Sequence, residues 1–314
     1  MKKNIFVSII IPVYNGSNYL SEAIESALAQ SYSHIEIIIV NDGSDDEGKT
    51  EAIARSFGDK IKYFYKKNGG VSSALNFGIA HMSGDYFSWL SHDDLYAPNK
   101  IERQVAAIET DRDIILCSGL LMDAQKNIIR HKTKLLSGRY SGRELFQKTI
   151  DGYNLNGLGF LIPKTILDEV GGFNVNMKYI QDFDCWLRIM QLREDIRFIC
   201  LPQKLVYSRI HKNQVTNLKS ERYDIERNFM YYNQIKLLRE QNTNESTEWL
   251  KLVACLCEKD GAKQYRREIF DELRKRQVDI SKAYLKMYKY GIYRHMKTIY
   301  RKFMIVYSKR KGLR

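Results

Sequence analysis

Two stretches decide the fold: "VSIIIPVYN" at residues 7–15 and "IEIIIVNDGSDD" at residues 35–46. Each is an almost unbroken apolar run that stops at polar turn residues, Tyr14-Asn15 in the first and Asn41-Asp42-Gly43 in the second. A strand with one wet face alternates apolar and polar side chains. A parallel strand covered by helices on both faces has no polar face, and reads like these. Between them, "SNYLSEAIESALAQSY" sets Leu20, Ala23, Ile24, Ala27 and Leu28 at helical spacing. The alternation continues through helix "KTEAIARSFG", strand "IKYFYKKNGG", helix "VSSALNFGIAHMSG" and strand "DYFSWLSHDD". Such a series predicts an α/β fold, with an open, mostly parallel sheet flanked by helices.

In sheets of this kind ligands bind outside the carboxyl ends of the strands. Those ends carry Tyr14-Asn15, Asp42, Asn68-Gly69-Gly70 and His92-Asp93-Asp94, so four polar clusters are expected along one edge. The last lies in "SWLSHDDLYAPNK", residues 88–100, where two adjacent carboxylates follow an imidazole. Either the pair opens the helix expected over about residues 98–108, with Pro98 in its first turn, or it holds something charged. The chain has no G-x-G-x-x-G after its first strand and no G-x-x-x-x-G-K-[ST] anywhere. A diphosphate bound here therefore calls for a cation, and Mg²⁺ or Mn²⁺ on Asp93 and Asp94 suits that chemistry. Spacing alone leaves both readings open.

From Lys100 to about Val206 the pattern is irregular, with short strands expected at residues 114–117, 160–162 and 196–200. Beyond Leu218 it is almost wholly helical and rich in Tyr, Lys and Arg. A soft boundary near Asn217 divides a unit at 1–217 (halves at about 1–98 and 99–217) from a helical, basic region at 218–314. The 314 residues are 44% hydrophobic and 28% charged, which excludes a disordered or collagen-like chain. Five scattered cysteines form neither a disulfide framework nor a zinc pattern, as expected of a cytoplasmic protein. "MKKNIFVSIIIPV" imitates a signal peptide, but Pro12, Tyr14, Asn15 and a helix separate it from any cleavage-like site. No run approaches the ~20 apolar residues that span a bilayer.

In this order, "SIIIPVYNGSNYLSEAIESALAQSY", "EIIIVNDGSDD", "NGGVSSALNFGIAHMSGDYFSWLSHDD", "GGF" and "QDFDCWLR" resemble the family 2 glycosyltransferases of the GT-A fold, over about residues 5–216. The resemblance implies a nucleotide-sugar donor, a divalent metal, an acceptor hydroxyl and inversion at the anomeric carbon. It places Pro12 and Tyr14 against the nucleobase and Asp42 on the base or ribose, with Asn68, Gly70 and Asn76 lining the same pocket. His92 is expected at the ribose or a phosphate. Asp93 takes the metal-binding place of the family's D-x-D, with Asp94 as second ligand or acceptor contact; Ser91 stands where the first Asp is usual. The base maps to Asp182, Gln181 replaces the neighbouring Glu, and Asp184 reads as an exposed carboxylate. Gly171 and Gly172 imply a turn beside the acceptor, and Trp186 stacks on the acceptor or packs in the core. "YSRIHKNQVT" resembles the R-x-H segment of many members, which puts His211 near the metal or diphosphate.

The formal charge is +13, and residues 261–314 alone carry 17 Lys or Arg against 4 Asp or Glu. From residue 280 on, Tyr284, Met287, Tyr288, Ile292, Met296, Ile299, Phe303 and Val306 fall on one half of a helix, with the Lys and Arg mostly on the other. Such a helix lies in an anionic membrane interface or packs on the catalytic unit with its basic face in water. No nucleic-acid motif accompanies it. The sequence thus points to a hexosyltransferase using a nucleoside-diphosphate sugar, with UDP expected. The expected acceptor is a growing, lipid-linked surface glycan, on a polyprenyl diphosphate, at the inner face of a cytoplasmic membrane. The departures at Ser91 and Gln181 keep a non-catalytic sugar-nucleotide-binding scaffold in view. Nucleotidyl transfer would need a Gly-rich basic loop after the first strand, which "PVYNGSNY" does not supply.

Overall fold

The computed structural model describes residues 4–129, 135–211 and 221–279. The basic segment from residue 280 on lies outside the described residues. The chain divides into two compact units, Met1–Tyr223 and Asp224–Arg314.

The first unit opens with β1 (Val7–Val13), α1 (Leu20–Leu28), β2 (Ile35–Asn41), α2 (Lys49–Arg55), β3 (Lys62–Tyr65), α3 (Val71–His81) and β4 (Tyr86–Trp89). These four strands run parallel in the order β3-β2-β1-β4. All seven β1 residues are buried, as their unbroken apolar pattern requires. Pro12 is tolerated inside this central strand because pairing with β4 stops at Ile10 opposite Trp89, before the missing N–H is reached. Helices α1 and α3 turn Leu20, Ala23, Ile24, Ala74, Leu75 and Ile79 inward against the sheet.

The chain continues as β5 (Leu95–Tyr96), α4 (Lys100–Ala106), β6 (Asp113–Met122), β7 (Ile128–Ile129), β8 (Gly138–Tyr140), α5 (Gly142–Ile150), β9 (Phe160–Pro163), α6 (Lys164–Val170), α7 (Gln181–Leu192) and β10 (Arg197–Arg209). Strand β9 enters antiparallel between β4 and β6, and β6 pairs in parallel with β10, so one sheet of order β3-β2-β1-β4-β9-β6-β10-β5 runs through the unit. The seam between its halves is aromatic. Phe160 stacks on Trp186 at 4.2 Å, and Phe173 meets the edges of Trp186 and Trp89 at 5.7 and 6.0 Å. Such pairs add about 0.5–1.5 kcal/mol each beyond area burial.

Two expectations are revised here. The helix after Pro98 begins only at Lys100, and β5 lies between it and the two aspartates, so neither Asp93 nor Asp94 caps it. The strand expected at residues 196–200 runs 13 residues, past Pro202, by shifting register between Leu201, Lys204 and Val206. That irregularity lets β10 carry Arg209 to the end of β4.

The second unit contains most of α8 (Glu221–Gln241), then α9 (Asn244–Asp260) and α10 (Lys263–Lys275). Thr243 and Ser246 cap α9 reciprocally, and Gly261 closes it in a left-handed conformation. The boundary between the two units falls after Tyr223, within the first turn of α8.

Candidate active site

At the end of β4 the two aspartates have different tasks. Asp94 is buried, and its Oδ1 accepts the Arg209 backbone N–H at 2.7 Å. Burial holds its carboxyl well above the usual carboxylate range; the neighbouring Asp93 charge adds to this and Arg209 opposes it. Asp94 therefore fastens β10 to the segment after β4 through Oδ1, beside the metal or acceptor contact expected of it. Asp93 turns the other way, and its Oδ2 stands 3.0 Å from His211 Nε2. The two side chains remain 13% and 15% exposed, so the pair can still be reached from solvent.

Arg209 organises this pair, and the sequence reading gave it no role. Its guanidinium is fully enclosed, donating to the Asp93 carbonyl (2.9 Å), the Ala124 carbonyl (2.9 Å) and Glu22 Oε2 (2.6 Å). It also lies 4.2 Å over the Tyr19 ring, whose other neighbour is His211 at 5.3 Å. His92 packs instead against Gly16, where a Cβ would stand 2.6 Å from its Cδ2. Burial pulls the His92 pKa down, Asp93 pulls it up and His211 lowers it further, with a net fall.

One carboxylate and one imidazole do not make a metal cage. Among the described residues no group of three or more His, Cys, Asp or Glu is placed to hold an ion. Mg²⁺ and Mn²⁺, however, are commonly held by one or two carboxylates with substrate phosphates and water completing the shell. Asp93 and His211 fit such a substrate-completed site.

Along the nucleotide edge the expectations divide. Tyr14 is 44% exposed and donates its hydroxyl proton to Asp45 Oδ1 at 3.2 Å. Asn15, at φ +50°, locks the same loop through Asp45 and Ser44. Pro12 is buried in β1, so of the two residues expected against a base only Tyr14 offers a surface. Asp42 is 3% exposed, and its oxygens take the Lys66 ammonium at 2.6 Å and the Gly69 and Gly70 amides at 3.1 and 2.7 Å. It shapes the loop carrying exposed Asn68 rather than turning towards solvent. Asn76 is likewise engaged: its amide brackets the Phe173 backbone, donating to the carbonyl and accepting from the N–H, both at 2.8 Å.

That clamp explains the glycine pair. Gly171 ends α6 in the left-handed region at φ +74°. Gly172, at φ +67°, passes so close to Asn76 that a Cβ would stand 2.5 Å from Oδ1. Its missing side chain makes room for Asn76. Gly172→Ala is expected to lower stability by about 1–3 kcal/mol, read as a fall in urea midpoint at unchanged slope.

Asp182, at the second position of α7, lies behind this turn. A Cβ on Gly157 would stand 3.5 Å from Asp182 Oδ2 and 3.2 Å from the Trp89 ring, so the carboxylate and the last residue of β4 both border Gly157. Burial pushes its pKa up against the opposing Phe183 and Asp182 N–H groups. Among the described residues no cation pairs with it. Beside it Gln181 is 8% exposed, and its Oε1 has no hydrogen-bond partner among the described residues. Asp184 is buried on Arg188 at 2.9 Å rather than exposed, and Trp186, 1% exposed, belongs to the aromatic seam rather than to an acceptor surface.

A parallel α/β half whose strand ends open on a carboxylate–imidazole pair, joined to a mixed half bearing an enclosed carboxylate, defines a GT-A transferase. The structure of S. aureus TarS residues 1–349 in complex with UDP-GlcNAc has this fold, with a TM-score of 0.62 and 16% identity over 80% of this chain and 71% of that one. The sequence pattern of glycosyl transferase family 2 matches residues 8–171. An uncharacterized glycosyltransferase of Rickettsia typhi is 47% identical over 224 residues, 69% of each protein. One from Haemophilus influenzae is 27% identical over 228 residues, 68% of each. The chain belongs to glycosyl transferase family 2 and is a glycosyltransferase.

Proposed function

We propose that the chain moves a hexose from a UDP-sugar to a growing, lipid-linked surface glycan, with inversion at the anomeric carbon. The observation that carries this reading is the solvent-reachable Asp93–His211 pair at the end of β4, with Asp182 and Trp89, the last residue of that strand, both bordering Gly157. TarS, of the same fold, is described in complex with UDP-GlcNAc, which supports a uridine donor.

Asp93 and His211 would hold the divalent metal, Mg²⁺ or Mn²⁺, together with the donor diphosphate. When bound, the metal neutralises the charge that builds on the departing diphosphate. Tyr14 gives the base a flat exposed face, and the loop held by Asp42 forms the rim with Asn68 and Gly70. Asp182 accepts the proton of the acceptor hydroxyl as its oxygen bonds to the anomeric carbon and the bond to UDP breaks. The carboxylate's raised pKa makes it a stronger base than an exposed aspartate. The basic segment from residue 280 on holds the enzyme peripherally on the cytoplasmic face of a membrane, where a polyprenyl-diphosphate-linked acceptor is found.

Donor hydrolysis and transfer, with and without EDTA, test the metal assignment. Chelation is expected to abolish turnover and Mn²⁺ or Mg²⁺ to restore it; turnover indifferent to EDTA would remove Asp93 from its role. A thermal-shift panel of nucleotide sugars names the donor, since a ligand at about 100 times its Kd stabilises by about 2.7 kcal/mol. Donor binding without transfer to any acceptor would favour the scaffold alternative.

A further inference from the structure

Helix α8 has two apolar faces. Its inner face buries Met230, Tyr231, Gln234, Ile235 and Leu238. That face is tied to α9 by the Tyr231 hydroxyl on Asp260 (2.7 Å) and to α10 by Arg239 on the Glu268 carbonyl (3.0 Å). The outer face of a surface helix is ordinarily polar. Here Ile225, Phe229 and Tyr232, spaced i, i+4 and i+7, are 63%, 45% and 55% exposed. They form one row about 10 Å long, and exposed Lys236 continues it a turn further on. Exposed apolar residues are normally scattered singly; an aligned row of three large ones marks a contact surface.

We propose that this row is the face by which the C-terminal unit lies on an anionic lipid bilayer. Charge selects the partner. Residues 224–279 balance 11 Lys or Arg against 11 Asp or Glu, and residues 280–314 of the same unit add 11 Lys or Arg and no acid. A second copy would bring the same uncompensated excess in residues 280–314 and no acid to match it. Phospholipid headgroups supply the opposite sign, and the acyl boundary beneath them takes the aliphatic and aromatic side chains. Phe and Tyr beside Lys is the composition of an interfacial helix, with the lysine head in the headgroup layer. No described helix is long and apolar enough to cross a membrane, so α8 lies in the interface plane. The row supplies depth where the basic segment beyond residue 280 supplies charge. Binding is read without turnover, so it stands or falls apart from the donor and acceptor proposed above.

The full-length protein is sedimented with phosphatidylethanolamine vesicles containing phosphatidylglycerol, at low salt and at about 0.5 M salt, where exposed charges are largely screened. Wild type is expected to bind at both. Phe229→Ser and Tyr232→Ser are each expected to bind about tenfold more weakly at high salt with an unchanged melting temperature. The indole fluorescence gained in Phe229→Trp is expected to be quenched by brominated acyl chains. Two results would overturn the proposal. One is high-salt binding unaltered in both serine variants, with no quenching of the added indole in Phe229→Trp. The other is a wild-type dimer in sedimentation velocity that the serine substitutions split.

Discussion

Asp182→Asn is expected to lower the rate of transfer by about 10²–10⁴-fold, the range over which a positioned general base acts. Donor affinity, read by calorimetry, is expected to stay within about threefold, since Asp182 is absent from the Asp93–His211 pair and from the Tyr14–Asp45 loop. The substitution keeps the shape of the side chain, and the Phe183 N–H can still donate to the amide oxygen as it does to Oδ1 at 2.7 Å. Stability is expected to hold or rise slightly, because a buried carboxylate without an ion-pair partner is replaced by a neutral group. Full transfer activity in Asp182→Asn would remove this residue from the chemistry.

The same burial fixes the direction of the pH profile. A base works in its deprotonated form, and Asp182 has its pKa raised by burial. The acid limb of kcat/KM is therefore expected above the pH at which an exposed aspartate ionises, with activity rising through the raised pKa. Acting on stability, the raised pKa works in the opposite sense: whatever Asp182 contributes is fullest below its unfolded pKa and is lost as pH rises through the folded one. Rate and stability should thus move in opposite directions over that window. An acid limb matching that of a free carboxylate would show that Asp182 is not the titrating base.

Much of this was readable in the sequence because three of the first four strands, β1, β2 and β4, are covered on both faces. An unbroken apolar run ending in Tyr-Asn, Asn-Asp-Gly or Ser-His-Asp-Asp has one structural solution, and it puts those ends on one edge. Side-chain direction was harder to read. Asp93 and Asp94 are neighbours with the same chemistry, and only the arrival of β10 assigns one to solvent and the other to the Arg209 N–H. Asn76, Gly172 and Trp186 look like pocket residues by type, yet they meet across more than 90 residues of chain or inside an aromatic seam. Contacts at such separation leave no local period. Arg209 was missed for a related reason: Pro202 suggests a strand end, whereas the strand resumes beyond it as "KLVYSR", with Leu205, Val206 and Arg209 buried.

Arg209→Met is expected to be the most damaging single change outside Asp182. Its side chain has no exposed surface, and it links the loop after β4, the turn after β6 and helix α1 through three acceptors and the Tyr19 ring. Methionine fills similar volume but leaves the Asp93 and Ala124 carbonyls without their donor, while Glu22 keeps Lys126 at 3.1 Å. Loss of one partner from such a buried cluster costs about 3–5 kcal/mol, and the solvent-facing Glu22 and its second cation favour the lower end. That corresponds to a melting-temperature drop of about 6–12 °C for a unit of this size. The Asp93 carbonyl is one peptide from the carboxylate that faces His211, so a weaker Mn²⁺ response in a donor thermal-shift titration is expected as well. Arg209→Lys is expected to recover part of the stability but little of the Mn²⁺ response. An ammonium can reach one or two of these acceptors, whereas the planar fork serves all three and still lies flat over Tyr19. If Arg209→Lys matched wild type in both readouts, a point charge would suffice at this position and the geometric role of the guanidinium would fall.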